Sequence, residues 1–452
     1  MKRITQYEFS EEMSNKILII TYDMIPYSKD WGGSQRMYFL LEALTTYGFQ
    51  ANIICCDFNL KTTNEDSRII GLKSLNFVAK KVQLINKSNQ SKTNIVKHIL
   101  FKFKRVILHI IKKMEKAIFN NKGTMMGYIS KKWIDDNIVN ITTYVNKNDI
   151  DLVIISGPPF GMFTSLHKIK KHINNDVKFI LDYRDPWNFW DGGTLISRYN
   201  ERKALKYIDY LVVTNENIKS EFVRFYKIRD DSIKVISNGY SNTIWNRICT
   251  NIQKNRNKFT IIYTGGIEFS ENKTNYRNIS TFMKSFVAFY KRHSNVELII
   301  VGVNNVNDDS IKKIIAENEN HIKIIGKVQH LEALEYLLNA DLCLLLHTTT
   351  DDSAKYIISA KLYDYIKSMN FVLSIGSLNS LHKEMVTSLD IGLHVENYPD
   401  QILNALEIFY EKWLKDDKIT ETGIDKNIFS REYQNCKYID LVNYVLGIGY
   451  DN

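Results

Sequence analysis

The chain alternates short apolar runs with segments of helical spacing, and it does so twice. KILIIT (16–21), ANIICC (51–56), DLVIIS (151–156), VKFILD (177–182), YLVVT (210–214) and IKVIS (233–237) make the first series. FTIIYTGG (259–266), VELIIVG (296–302), IKIIG (322–326), DLCLLLH (341–347) and FVLSIG (371–376) make the second. Short apolar runs separated by helices are the pattern of a parallel sheet covered on both faces. The prediction is therefore α/β: two doubly wound, Rossmann-like parallel-sheet domains facing a cleft. A chain of 452 residues has the length for two or three domains.

The polar segment 241–258 reads as the connection. The predicted divisions are 1–245, 246–428, and a terminal helix in 429–452 that crosses back to the first domain. Region 60–130 breaks the alternation and reads as an insertion. Five scattered cysteines at 55, 56, 249, 343 and 436 make neither a disulfide framework nor a metal-spaced pair, which favours a reducing compartment. The N-terminal stretch lacks the apolar core of a signal peptide, and no window is apolar enough to span a membrane. A cytoplasmic protein is expected.

In open parallel sheets, ligands bind beyond the carboxyl ends of the strands, where helix N-termini offer free amides. The residues after each strand are therefore the candidates. After the first strand comes WGGS, with Gly32 and Gly33 allowing close backbone approach and Ser34 placed as a helix N-cap. After VKFIL comes DYRDPW. Asp182, Arg184 and Asp185 form a charged rim, and Trp187 offers a flat face of the kind sugars pack on. An Arg–Asp pair closing the loop is the alternative, and the two readings are compatible, since one carboxylate can be held by Arg184 while another faces ligand. After FTIIY comes TGGIEFSENK, with Gly265 and Gly266 for phosphate approach and Glu268 and Lys273 as contacts. After the strand ending at His347 comes the helical segment SAKLYDYIKS. Its Lys361 and Asp364 share a face, as a cation for phosphate and a carboxylate for a ribose diol would. A surface ion pair is the alternative. The loops lack the G-x-G-x-x-G spacing of a dinucleotide site.

In order along nearly the whole chain, these pieces resemble the GT-B fold glycosyltransferases, in particular the family 4 type of retaining, nucleotide-sugar-dependent enzymes from bacterial polysaccharide assembly. The stretches that carry the resemblance are ILIITYDMIPYSKDWGGSQRMYFLLEAL, DLVIISGPPF, KFILDYRDPW, VISNGY, IIYTGG, IIGKVQHLEALEYLLNADLCLLL and SAKLYDYIKSMNFVLSIG. It implies transfer of a sugar from a nucleoside-diphosphate sugar to a glycan or lipid-linked hydroxyl, with no cofactor and no metal. It places Gly32 and Gly33 near donor diphosphate and acceptor, and Asp182, Arg184 and Asp185 on the acceptor side. Gly265, Gly266, Glu268, Lys273, His347, Lys361 and Asp364 would serve the donor, with Lys361 and Asp185 nearest the chemistry.

Two departures stand out. Many members carry an arginine directly after the strand equivalent to IIYTG. Here Gly266 stands there, and Lys273 or Arg277 would have to replace it. Many also carry two glutamates eight residues apart, where this chain has Tyr356 and Asp364. A non-catalytic subunit supporting a partner transferase and a sugar-nucleotide epimerase are the rival readings.

The net charge of +10 is concentrated: residues 97–116, KHILFKFKRVILHIIKKMEK, supply +6 of it. At helical spacing Ile99, Phe103, Val106, Ile107, Ile110 and Ile111 fall broadly on one face, with lysines elsewhere. Such a helix suits an anionic membrane surface, and packing on the first domain is the alternative. No aromatic–basic platform for nucleic acid accompanies it.

Overall fold

The computed structural model describes residues 15–28, 31–58, 60, 66–73, 109–120, 126–174, 176–189, 193–248, 254, 257–267, 277–304, 306, 308–347, 352–419 and 425–448. The chain divides into two compact units, one of residues 1–237 with 435–452, the other of residues 238–434.

The first unit holds a seven-stranded sheet: β1 (Lys16–Thr21), β2 (Gln50–Asp57), β3 (Ile69–Lys73), β4 (Leu152–Gly157), β5 (Lys178–Tyr183), β6 (Tyr210–Val213) and β7 (Ile233–Val235). Their order is β3-β2-β1-β4-β5-β6-β7, all parallel. The chain moves outward one way from β1 and then returns to build the other side from β4. The switch point therefore lies between β1 and β4, where ligands of such sheets collect. One core joins Ile17 and Ile19 of β1, Met37, Leu40 and Leu41 of the helix Trp31–Thr46, and Tyr438, Leu441 and Val442 of the terminal helix Arg431–Leu446.

The second unit repeats the design with six strands: β8 (Phe259–Thr264), β9 (Val296–Val301), β10 (Ile322–Ile325), β11 (Leu342–His347), β12 (Phe371–Gly376) and β13 (Gly392–Val395). The order is β10-β9-β8-β11-β12-β13, again all parallel. Its switch point lies between β8 and β11. The helices Ser280–Tyr290 and Pro399–Leu414 cover one face and bury Phe282, Phe286, Phe289, Leu406 and Phe409 against Phe259, Ile261 and Tyr263 of β8.

Two expectations need correction here. The helix after β1 begins at Trp31. Gly32 and Gly33 thus lie in its first turn, and Ser34 is inside the helix rather than capping it. Region 60–130 is also not wholly an insertion, because Ile69–Lys73 forms strand β3, paired with β2. Most of the basic window, 97–108, lies outside the described residues. Its remainder belongs to helical residues 109–119. There Glu115 and Phe119 are buried, while Ile110 and Met114 are 50% and 56% exposed.

Candidate functional site

At the carboxyl edge of the first sheet, Asp182 is fully buried. Arg36, from the helix Trp31–Thr46, reaches it with Nη2 at 2.8 Å and Nε at 3.1 Å from Oδ1. Ser156, its register partner on β4, donates to Oδ2 at 2.8 Å. The same guanidinium donates to the carbonyls of Ile236 and Ser237 at 2.9 and 3.0 Å. Asp182 thus ties one helix and the ends of β4, β5 and β7 together.

Arg184 turns the other way. It donates from Nη2 to the Pro158 carbonyl, and its backbone N–H bonds the Gly157 carbonyl at 2.9 Å. Asp185 is half-buried beside it. Burial pushes the Asp185 carboxyl up, and the Arg184 charge opposes that. Among the described residues Asp185 makes no hydrogen bond through its carboxylate.

Trp187 is not the open platform expected from its place after Pro186. It is 2% exposed, stacks on Phe160 with ring centroids 5.4 Å apart, and donates from Nε1 to the Phe119 carbonyl at 2.7 Å. Behind it sits a polar cluster that the sequence did not single out. Glu201, fully buried, accepts from Asn188 Nδ2 at 2.6 Å and from the Tyr226 hydroxyl. Burial raises its carboxyl to about 7.

At the carboxyl edge of the second sheet, β8 leads into Gly265 and Gly266. Gly265 has φ +104°, a left-handed conformation that favours glycine. Its position is also crowded: a Cβ there would lie 2.7 Å from Lys361 Cε. Lys361 stands in the first turn of the helix Ala360–Ser368 and lays its amine against this turn. Nζ donates to the Tyr263 hydroxyl at 2.6 Å and lies 3.9 Å from that ring's centroid. One Nη of Arg277 lies 3.5 Å from where a Gly266 Cβ would be. Burial and the Arg277 charge hold the Lys361 amine well below the usual lysine range. The Lys361 and Arg277 side chains thus both reach the glycine turn, which lies at the sheet's switch point.

Asp364 does not join them. Its oxygens take Trp245 Nε1 at 3.0 Å and His330 Nε2 at 3.4 Å. His347 is buried at the end of β11, its ring centroid 5.1 Å from that of His382. His382 Nε2 accepts from the backbone N–H of Ser359 at 2.9 Å, which fixes the entry of the helix bearing Lys361. Glu268 and Lys273 lie outside the described residues.

No family model matches the chain, and no curated protein matches it. Solved structures do. A glycosyltransferase from Rickettsia africae ESF-5 aligns with TM-score 0.59 at 13% identity, over 96% of this chain and 100% of that one. Sucrose-phosphate synthase from Thermosynechococcus elongatus aligns with TM-score 0.62 at 13% identity, over 96% and 100%. The chain has the GT-B fold. The same arrangement also matches a UDP-GlcNAc 2-epimerase from Methanocaldococcus jannaschii, with TM-score 0.54 at 14% identity, over 95% and 99%. At such identities the likeness is one of fold, and the site must decide between chemistries. Among the described residues no helix is long and apolar enough to cross a membrane.

Proposed function

We propose that the chain is a glycosyltransferase of the retaining, family 4 type. It would move a sugar from a nucleoside-diphosphate sugar to a hydroxyl of a glycan or lipid-linked acceptor in bacterial surface polysaccharide synthesis. The observation that carries this reading is the meeting of Lys361 and Arg277 at the Gly265–Gly266 turn. A sugar leaves a nucleoside diphosphate when the charge growing on the diphosphate is neutralised. Fixed cations and backbone amides do this without reorganising, and losing one such donor costs about 10²–10³ in rate. Arg277 takes the place that many relatives of this type give to an arginine directly after the strand. Asp185, held beside Arg184, orients the acceptor hydroxyl, while Asp182 is scaffold. His347 and Asp364 shape the donor side from behind Lys361.

The enzyme works on the cytoplasmic face of the membrane in this reading. Helical residues 109–119 present Ile110 and Met114 among exposed Lys112, Lys113 and Lys116. The neighbouring helix, joined to them by the hydrogen bond from Asn200 Nδ2 to the Ile118 carbonyl, presents Leu195 and Tyr199. Exposed apolar side chains on elements that also carry exposed lysines suit an anionic bilayer.

The epimerase match keeps a second reading in view. A thermal-shift panel of nucleotides and nucleotide sugars tests the donor site. A ligand at a hundred times its Kd stabilises by about 2.7 kcal/mol. One nucleoside diphosphate giving a clear shift in the wild type and none in Lys361→Ala is the expected result. No shift from any nucleotide in a folded sample would leave a non-catalytic subunit as the better account.

A further inference from the structure

Tyr263 is the penultimate residue of the core strand β8. Its ring is fully buried and packs with Phe259 and Ile261 in the second sheet's hydrophobic core. A phenylalanine would serve that packing equally well, yet the hydroxyl is placed at a junction. It donates to the Gly266 carbonyl at 2.9 Å and accepts from Lys361 Nζ at 2.6 Å. One oxygen thus links the lysine to the backbone of the glycine turn. The ring adds a second hold, with Nζ 3.9 Å from its centroid.

We propose that Tyr263 is a positioning residue for donor binding. Its hydroxyl keeps Lys361 charged and aimed at the Gly265–Gly266 turn, so that the ammonium retains two hydrogens for a diphosphate. This rests on the donor-site reading above and adds to it the group that makes the lysine usable. Lys361 lies beside a second cation and is partly withdrawn from water, both of which favour loss of its proton. An amine that had lost it could not neutralise a leaving diphosphate. Among the described residues, the groups that face Lys361 are Tyr263 from β8 and Arg277 from the segment entering the helix Ser280–Tyr290. On its own helix, Tyr365 turns its hydroxyl to Thr264 at 3.3 Å, and Asp364 is engaged by Trp245 and His330. Among the described residues, the Tyr263 hydroxyl is the hydrogen-bond acceptor that Lys361 Nζ reaches.

The test is the titration of Lys361 itself, which needs no ligand. The full-length chain is labelled with acetic anhydride across a pH series, and modification of Lys361 is read by mass spectrometry. The midpoint in Tyr263→Phe is expected about one pH unit below that of the wild type. That is the size of a hydrogen bond to a charged group expressed as a pKa shift. Because Tyr263 is buried, 3-fluorotyrosine at position 263 serves as the milder variant. It keeps shape and hydroxyl, weakens the oxygen as acceptor, and should move the midpoint the same way by less. In parallel, calorimetry with inorganic pyrophosphate should show Kd rising about tenfold in Tyr263→Phe, with the loss steepening as pH rises. A midpoint identical in the wild type and both variants overturns the proposal, whatever happens to affinity, because a merely structural tyrosine could weaken binding without moving the titration. Absence of pyrophosphate binding by the wild type, with the midpoint shifting as expected, would instead remove the donor reading and leave Tyr263 controlling Lys361.

Discussion

Replacing Asp182 by alanine tests whether this carboxylate holds the fold rather than meets substrate. The side chain is fully buried, and it accepts hydrogen bonds from Nε and Nη2 of Arg36 and from the Ser156 hydroxyl. Removing one partner of a buried ion pair costs about 3–5 kcal/mol, because the other charge is left uncompensated. Arg36 would keep the Ile236 and Ser237 carbonyls, which puts the expected loss at the lower end, about 3 kcal/mol. For a unit with a stability of about 5–15 kcal/mol this is a large fraction. Hydrogen exchange is the suitable assay because it reads the two units separately. Amides of β4 and β5 should exchange about two orders of magnitude faster at 3 kcal/mol, while peptides from β8 to β12 stay at wild-type rates. The double change Arg36→Met, Asp182→Leu should recover only part of the protection, since it removes the uncompensated charge but leaves the Ile236 and Ser237 carbonyls and the Ser156 hydroxyl without these partners. Unchanged protection in Asp182→Ala together with abolished turnover would refute the scaffold assignment.

Other substitutions test the remaining geometry. Glu201 has its folded carboxyl raised to about 7 from 4.5. Its contribution to stability is therefore complete below about pH 4.5 and is lost as pH rises through 7. Glu201→Gln should flatten that slope, so urea midpoints of variant and wild type should converge, or cross in the variant's favour, between pH 5 and pH 8. A gap that widens with pH would contradict the buried neutral carboxyl. Gly265→Ala forces a side chain into a left-handed backbone conformation and against Lys361 Cε. A stability loss of about 1–3 kcal/mol is expected in thermal melts, with diphosphate binding lost as well because the lysine must move. Retained binding would show that the amine acts from elsewhere.

Much of the architecture was legible because a parallel strand buried on both faces must be apolar throughout. Both unread strands, Ile69–Lys73 and Gly392–Val395, are sheet edges. An edge strand has one neighbour and less burial, so RIIGLK and GLHV carry glycine, histidine and charge without penalty, and their signal sinks into the loops. Placement at a sheet's carboxyl edge was legible where it depends on position after a strand, as with Lys361, Gly265 and Asp185. The site was not legible where it depends on who packs on whom. Arg36 and Asp182 meet across 146 residues of chain, and nothing in DYRDPW tells that one aspartate is claimed and the other open. Trp187 looked available because it follows a proline turn, but Phe160 covers it. Asp364 sits on the expected helix, three residues from Lys361, and still turns to Trp245. Tyr263 read as a strand residue because its ring is one, and only its hydroxyl belongs to the site.

The most direct test of the central claim follows the fate of the donor. The nucleotide sugar that stabilises the protein is incubated with it, with and without a lipid-linked glycan fraction, and the mixture is followed by phosphorus and proton NMR. Glycosyl transfer predicts release of the nucleoside diphosphate only when acceptor is present, with the new glycosidic bond keeping the donor's anomeric configuration. An epimeric nucleotide sugar formed without acceptor, or a donor that binds and stays intact with every acceptor, would contradict it.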